Sequence, residues 1–156
     1  MKKIVLSLAI VLGVILLAGC GKVDLSNSPR LVCSKVEEKS SDTTTTILTL
    51  SYDKNEKIDN FAVESNIVYK NTVSQEALEI TEKAMRLIGK IPGISFDSKV
   101  GDNSLYFSFS GDIKFLKTLM KQLDKDYDES KVTGDTKSEA ITSLTKDGYT
   151  CEDIKK

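Results

Sequence analysis

The chain has 156 residues with 22 basic and 23 acidic side chains, a formal charge of −1, no histidine and no tryptophan. That length supplies one hydrophobic core comfortably and two poorly, so a single domain is expected. Without histidine, Ser-His-Asp and Cys-His nucleophiles and most catalytic zinc sites are excluded, and a near-neutral chain whose only arginines are Arg30 and Arg86 shows no nucleic-acid footprint.

Lys2 and Lys3 precede Ile4 to Ala18, a run that is apolar except for Ser7 and Gly13. It is shorter than the roughly 20 residues that cross the hydrocarbon core of a bilayer and has the proportions of a signal-peptide h-region. An uncleaved membrane helix is the alternative. The run ends in Leu17-Ala18-Gly19-Cys20, which resembles the lipobox where bacterial lipoproteins are lipidated and cleaved. The resemblance implies loss of residues 1–19, a diacylglycerol thioether on Cys20 and a membrane attachment on the extracytoplasmic face. Two acyl chains hold where one dissociates, because each buried methylene contributes about 0.8 kcal/mol. With Lys2 and Lys3 removed, 20 basic residues remain against 23 acidic ones, a mature charge of −3.

Residues 20–30 read as the lipidated cysteine and a flexible tether, polar and turn-rich at Ser26-Asn27-Ser28-Pro29. Leu31 to Glu37 is expected to be a short strand carrying Cys33. Thr43 to Tyr52 follows as the clearest strand, with Thr46, Leu48, Leu50 and Tyr52 on one face and Thr45, Thr49 and Ser51 on the other. After Asp53-Lys54-Asn55-Glu56, Lys57 to Tyr69 forms a third strand with Phe61, Val63, Ile67 and Tyr69 in phase. Loops this short join antiparallel neighbours, so these strands should form a meander with one wet face.

The period changes to 3.6 over Ser74 to Ile88, where Ala77, Ile80, Ala84, Leu87 and Ile91 make one stripe and Leu78, Thr81, Met85 and Ile88 lie beside it. This predicts an amphipathic helix capped by Thr72 or Ser74. Ile94 to Val100 and Ser104 to Ser110 then form a hairpin around Gly101-Asp102-Asn103, with Leu105, Phe107 and Phe109 directed inward. A second helix is expected from Gly111 to about Leu123. A third runs from Lys137 to about Asp147, where Thr136 and Glu139 form a capping box and Gly148 suits the left-handed C-cap. Glu152 to Lys156 reads as a charged tail after a single domain spanning 31–151.

Beyond Cys20, Cys33 and Cys151 are the remaining cysteines. Export places them where disulfides persist, so a bond between them is expected; two separate buried thiols are the alternative. The order of elements, with Leu-Ser-Tyr-Asp-Lys-Asn-Glu-Lys at 50–57, Ile-Pro-Gly-Ile at 91–94, Tyr-Phe-Ser-Phe at 106–109 and Gly148-Tyr149, resembles the YehR-like family of small bacterial lipoproteins. The resemblance implies an α+β, two-layer sandwich: an antiparallel sheet of about five strands, in the order βββαββαα, with helices packed on one face. It implies no catalytic residue.

Two spacings bear on chemistry. Ser143 and Lys146 form an S-x-x-K, but the S-D-N and K-T-G partners of penicillin-recognising enzymes are missing from the sequence, so both read as solvated helix residues. Asp124, Asp126, Asp128 and Asp135 match positions 1, 3, 5 and 12 of a calcium loop, with Glu129 where glycine makes the turn and aspartate in place of the bidentate glutamate. The sequence therefore points to a non-enzymatic extracytoplasmic domain with no cofactor, anchored in membrane through Cys20 and binding a protein or small molecule. A calcium-binding or sensor domain using loop 124–135 is the alternative.

Overall fold

The computed structural model describes residue 25 and residues 27–87, 93–115, 117–118 and 135–155. Six strands are present: β1 (Arg30–Glu38), β2 (Asp42–Tyr52), β3 (Ile58–Tyr69), β4 (Ile94–Gly101), β5 (Ser104–Asp112) and β6 (Thr150–Ile154). They form one antiparallel sheet in the order β4-β5-β3-β2-β1-β6. Three helices pack against it: α1 (Gln75–Arg86), α2, of which residues 113–115 and 117–118 are described, and α3 (Lys137–Lys146). The architecture is thus the expected α+β sandwich, enlarged by a sixth strand.

Short polar turns set the local geometry. In the β2–β3 turn the Asp53 carboxylate accepts from the backbone N–H of Asn55 at 2.8 Å and of Lys57 at 2.9 Å. This Asx arrangement closes the hairpin and holds Glu56 at φ 61°. Asn103 in the β4–β5 turn adopts φ 58°, and its side chain joins two segments, donating to the Tyr69 carbonyl at 2.5 Å and accepting from Val73 N–H at 2.8 Å. The α3 capping box forms as predicted from Thr136 and Glu139, and Gly148 follows with φ 88°.

Strand alternation and register place Leu31, Leu50 and Phe61 in one row across β1, β2 and β3, and Cys33, Leu48, Val63, Phe109 and Phe96 in the next. These residues build the core with Ile94 and Phe107, closed by Ile113 and Phe115 of α2 and Ala140, Ile141 and Leu144 of α3. Phe61 meets Phe109 edge to face at 6.1 Å between ring centres. Gly111 sits where a Cβ would lie 2.7 Å from the Gly93 carbonyl oxygen, so the end of β5 can approach that neighbour only without a side chain.

Three boundaries differ from the sequence reading. Gly111 and Asp112 extend β5, so helical geometry begins at residue 113 instead of 111. Within the stretch expected to be a tether, Leu25 is buried, its carbonyl accepts from Ser28 N–H and Arg30 Nη1, and the Pro29 carbonyl accepts from Tyr52 N–H. The chain therefore joins the fold before the first strand begins. Most substantially, Glu152 to Ile154 belong to edge strand β6, which pairs with β1 from Arg30↔Ile154 to Ser34↔Thr150. A five-residue strand with two acidic side chains carries too little apolar alternation to be distinguished locally from a tail.

Candidate functional site

The expected bond between Cys33 and Cys151 is present, joining residues 118 apart in sequence. The two cysteines stand directly opposite one another in the β1–β6 register, with Cys33 wholly buried in the core. Beside it, β6 is held by a polar clasp. Tyr52 O–H donates to Asp153, and Lys137 Nζ donates to Asp153 at 3.0 Å and contacts Glu56 at 2.6 Å. The same ammonium lies 4.8 Å from the Tyr52 ring centre, so strand, helix start and hairpin turn converge on one charge.

These contacts shift the groups in a consistent direction. The Tyr52 hydroxyl, followed by Lys137, holds Asp153 below the usual carboxylate range, while Glu56 and then Asp153 raise the lysine. A carboxylate with a lowered folded-state pKa stabilises the fold above its unfolded value of about 3.9 and loses that contribution as pH falls through the folded value. Stability should therefore decline on acidification below about pH 5, and Asp153→Asn should flatten part of that decline. Urea midpoints across a pH series read both; parallel curves for the two proteins would refute the assignment.

The sheet has a second face, which no described element covers. Register directs Val32 of β1, Thr45, Ile47 and Thr49 of β2, and Ala62 of β3 to this side, away from the helices. Farther along lie Tyr106, Ser108 and Ser110 of β5. Tyr106 donates to Glu64 at 3.2 Å, and burial, followed by the nearby carboxylates, pushes its phenol up. Glu38, Glu64, Asp97 and Glu152 outnumber Arg30 and Lys99 around this face. A flat, hydroxyl-rich surface with an acidic rim offers hydrogen bonds and β-branched contacts but repels phosphate and anionic lipid.

The remaining sequence candidates separate clearly. Cys20, Asp124, Asp126 and Asp128 lie outside the described residues. Asp135 accepts a charge-assisted hydrogen bond from Lys117, which lowers its pKa. Ser143 and Lys146 line a shallow depression of about 360 Å³ with Ser138, Glu139 and Thr142. All five come from α3, so no second described element supplies an opposing group. Among the described residues no helix is long and apolar enough to cross a membrane.

Sequence reasoning did not single out the clasp or the buried pair of Glu82 and Ser98. Ser98 Oγ donates to Glu82 at 2.8 Å and Arg86 Nε donates to the same oxygen at 2.6 Å. These contacts, Ser98 foremost, hold the carboxyl below its usual range. Lysine, tyrosine and aspartate scattered over a hundred residues carry no local signature; only the threonine alternation of β2 pointed to the open face. No protein-family model matches the chain, and neither a curated protein nor a solved structure matches it significantly.

Proposed function

We propose that this protein is a lipid-anchored extracytoplasmic domain that binds a protein partner through the open face of its sheet. The observation that carries this reading is the division of labour between the two faces. One is closed by three helices, while the other presents Ile47, Thr45, Thr49 and Tyr106 with no described element over them. The acidic rim favours a neutral or basic partner over nucleic acid or an anionic bilayer. The lipobox-like Cys20 and a disulfide between Cys33 and Cys151 support a location outside the cytoplasm. The resemblance of the sequence layout to YehR-like lipoproteins would imply the same address and assigns no chemistry.

Binding is favoured over catalysis because the chain holds no histidine and the polar clusters described above are engaged in holding elements together. The test combines fractionation with cross-linking in intact cells. The parent protein should remain with membranes after a carbonate wash, and Cys20→Ala should release it. Ile47→Lys should leave the anchoring intact while abolishing a cross-linked partner captured by the parent. Membrane retention of the Cys20 variant would refute the anchor; an unchanged cross-link in the Ile47 variant would refute the face.

A further inference from the structure

The polypeptide enters the fold ahead of its first strand, and the point of entry lies at one end of the sheet. Leu25 is buried, and its carbonyl accepts from Ser28 N–H at 3.3 Å and Arg30 Nη1 at 3.4 Å. The Pro29 carbonyl accepts from Tyr52 N–H at 3.2 Å, which fixes the entry beside the start of β1 and the end of β2. Arg30 stands opposite both Ser51 and Ile154. The β2–β3 turn and the start of α3 meet at the same end, where Lys137 N–H donates to the Glu56 carbonyl at 2.9 Å. The β1–β2 turn at residues 39–41 lies at the opposite end, about 34 Å away along the eleven residues of β2.

Five residue steps separate Leu25 from Cys20, a reach of at most about 18 Å fully extended and about 12 Å on average as a flexible coil. We infer that this short connection sets the domain on end, with the β2–β3 turn against the bilayer headgroups and the β1–β2 turn pointing away from them. The inference rests on the lipid anchor proposed above. A domain lying flat would instead put one of its broad surfaces on lipid. The open face carries Glu38, Glu64, Asp97 and Glu152 against Arg30 and Lys99. The helix side presents Glu76, Glu79 and Glu139 beside Lys83, Arg86 and Lys146. Neither has the basic excess that an anionic bilayer attracts. The tethered end is mixed as well, with Lys54, Lys57 and Lys155 among Asp53, Glu56 and Asp153; its nearness to lipid comes from chain length and not from attraction. The open face then stands edge-on to the membrane, within about 50 Å of it, and is approached from the side.

Three single-cysteine variants of the full-length, membrane-extracted protein test the orientation: Asn55→Cys in the β2–β3 turn, Ser40→Cys in the β1–β2 turn and Ile47→Cys midway along the open face. Asn55 and Ser40 are exposed turn residues, and a urea midpoint matching the parent shows that each variant folds. Each thiol is labelled with a fluorophore, and the protein is placed in phosphatidylcholine–phosphatidylglycerol vesicles whose headgroups carry a nitroxide quencher. The label at 55 should lose most of its emission, while those at 40 and 47 keep theirs. Inserting ten glycine and serine residues after Gly21 raises the average reach to about 21 Å and should restore much of the emission at 55. Equal quenching at 40 and 55, stronger quenching at 47, or quenching at 55 that the insertion leaves unchanged would overturn the inference while the protein stays with the vesicles through a carbonate wash, so the anchor stands. Release by that wash with no label quenched would overturn the anchor and the inference with it.

Discussion

Replacing both Cys33 and Cys151 with alanine is expected to lower the free energy of unfolding by about 5 kcal/mol. The bond closes a loop across a sequence separation of 118, and on the chain-entropy model a loop of that size restricts the unfolded ensemble by this amount. Small domains have only about 5 to 15 kcal/mol in total, so the variant should be close to unfolding at moderate temperature. Reduction of the parent protein should produce the same shift, which separates loss of the bond from loss of sulfur packing. β6 is the element most affected, because among the described residues β1 is its one strand partner, with α3 and the Asp153 contacts to Tyr52 and Lys137 fastening it further. Equilibrium urea unfolding, with and without reductant, reads the stability, and hydrogen exchange at residues 150–154 reads the strand. An unaltered midpoint on reduction would show that the bond contributes nothing.

Phe61→Ala is expected to cost about 3 to 5 kcal/mol, the range for removing a buried aromatic ring and leaving a cavity. Phe61 lies on β3, between β2 and β5, where its ring meets Phe109 edge to face. The surroundings cannot collapse easily. Gly111 lies opposite Phe61 in the register, and its own backbone is confined by the Gly93 carbonyl. Ile47→Ala provides the control, since Ile47 is on the same sheet but points to the uncovered face. Its cost should stay near or below about 1 kcal/mol, as for substitutions outside the core. Urea midpoints for the two variants therefore test which side of the sheet is the core; equal losses would contradict the assignment.

The uncovered face and the outward stripe of α1 give the domain two surfaces of different character. One is flat, hydroxylated and rimmed by acids; the other is narrow and aliphatic.

Much of this architecture was legible in local sequence because its causes are local. The alternation of Leu48, Leu50 and Tyr52 against Thr45, Thr49 and Ser51 reports one dry and one wet face within a single strand, and the inward Leu105, Phe107 and Phe109 follow the same period of two. The α3 start was readable because a capping box is a contact between residues three apart. The cysteine pairing was available from counting, since reading Cys20 as a lipidation site leaves Cys33 and Cys151 as one pair.

What the tertiary structure alone decided is non-local. β6 is a strand because Cys33 and the rest of β1 offer an edge more than a hundred residues away, a partner that Glu152 and Asp153 cannot announce. α1 has two stripes of similar apolarity, and the one that meets the sheet carries Leu78 and Met85 and places Glu82 where the Ser98 hydroxyl donates to it, leaving Ile80 and Leu87 exposed. The periodicity of a sequence states which side chains share a face; which face finds a partner depends on groups brought together only by folding.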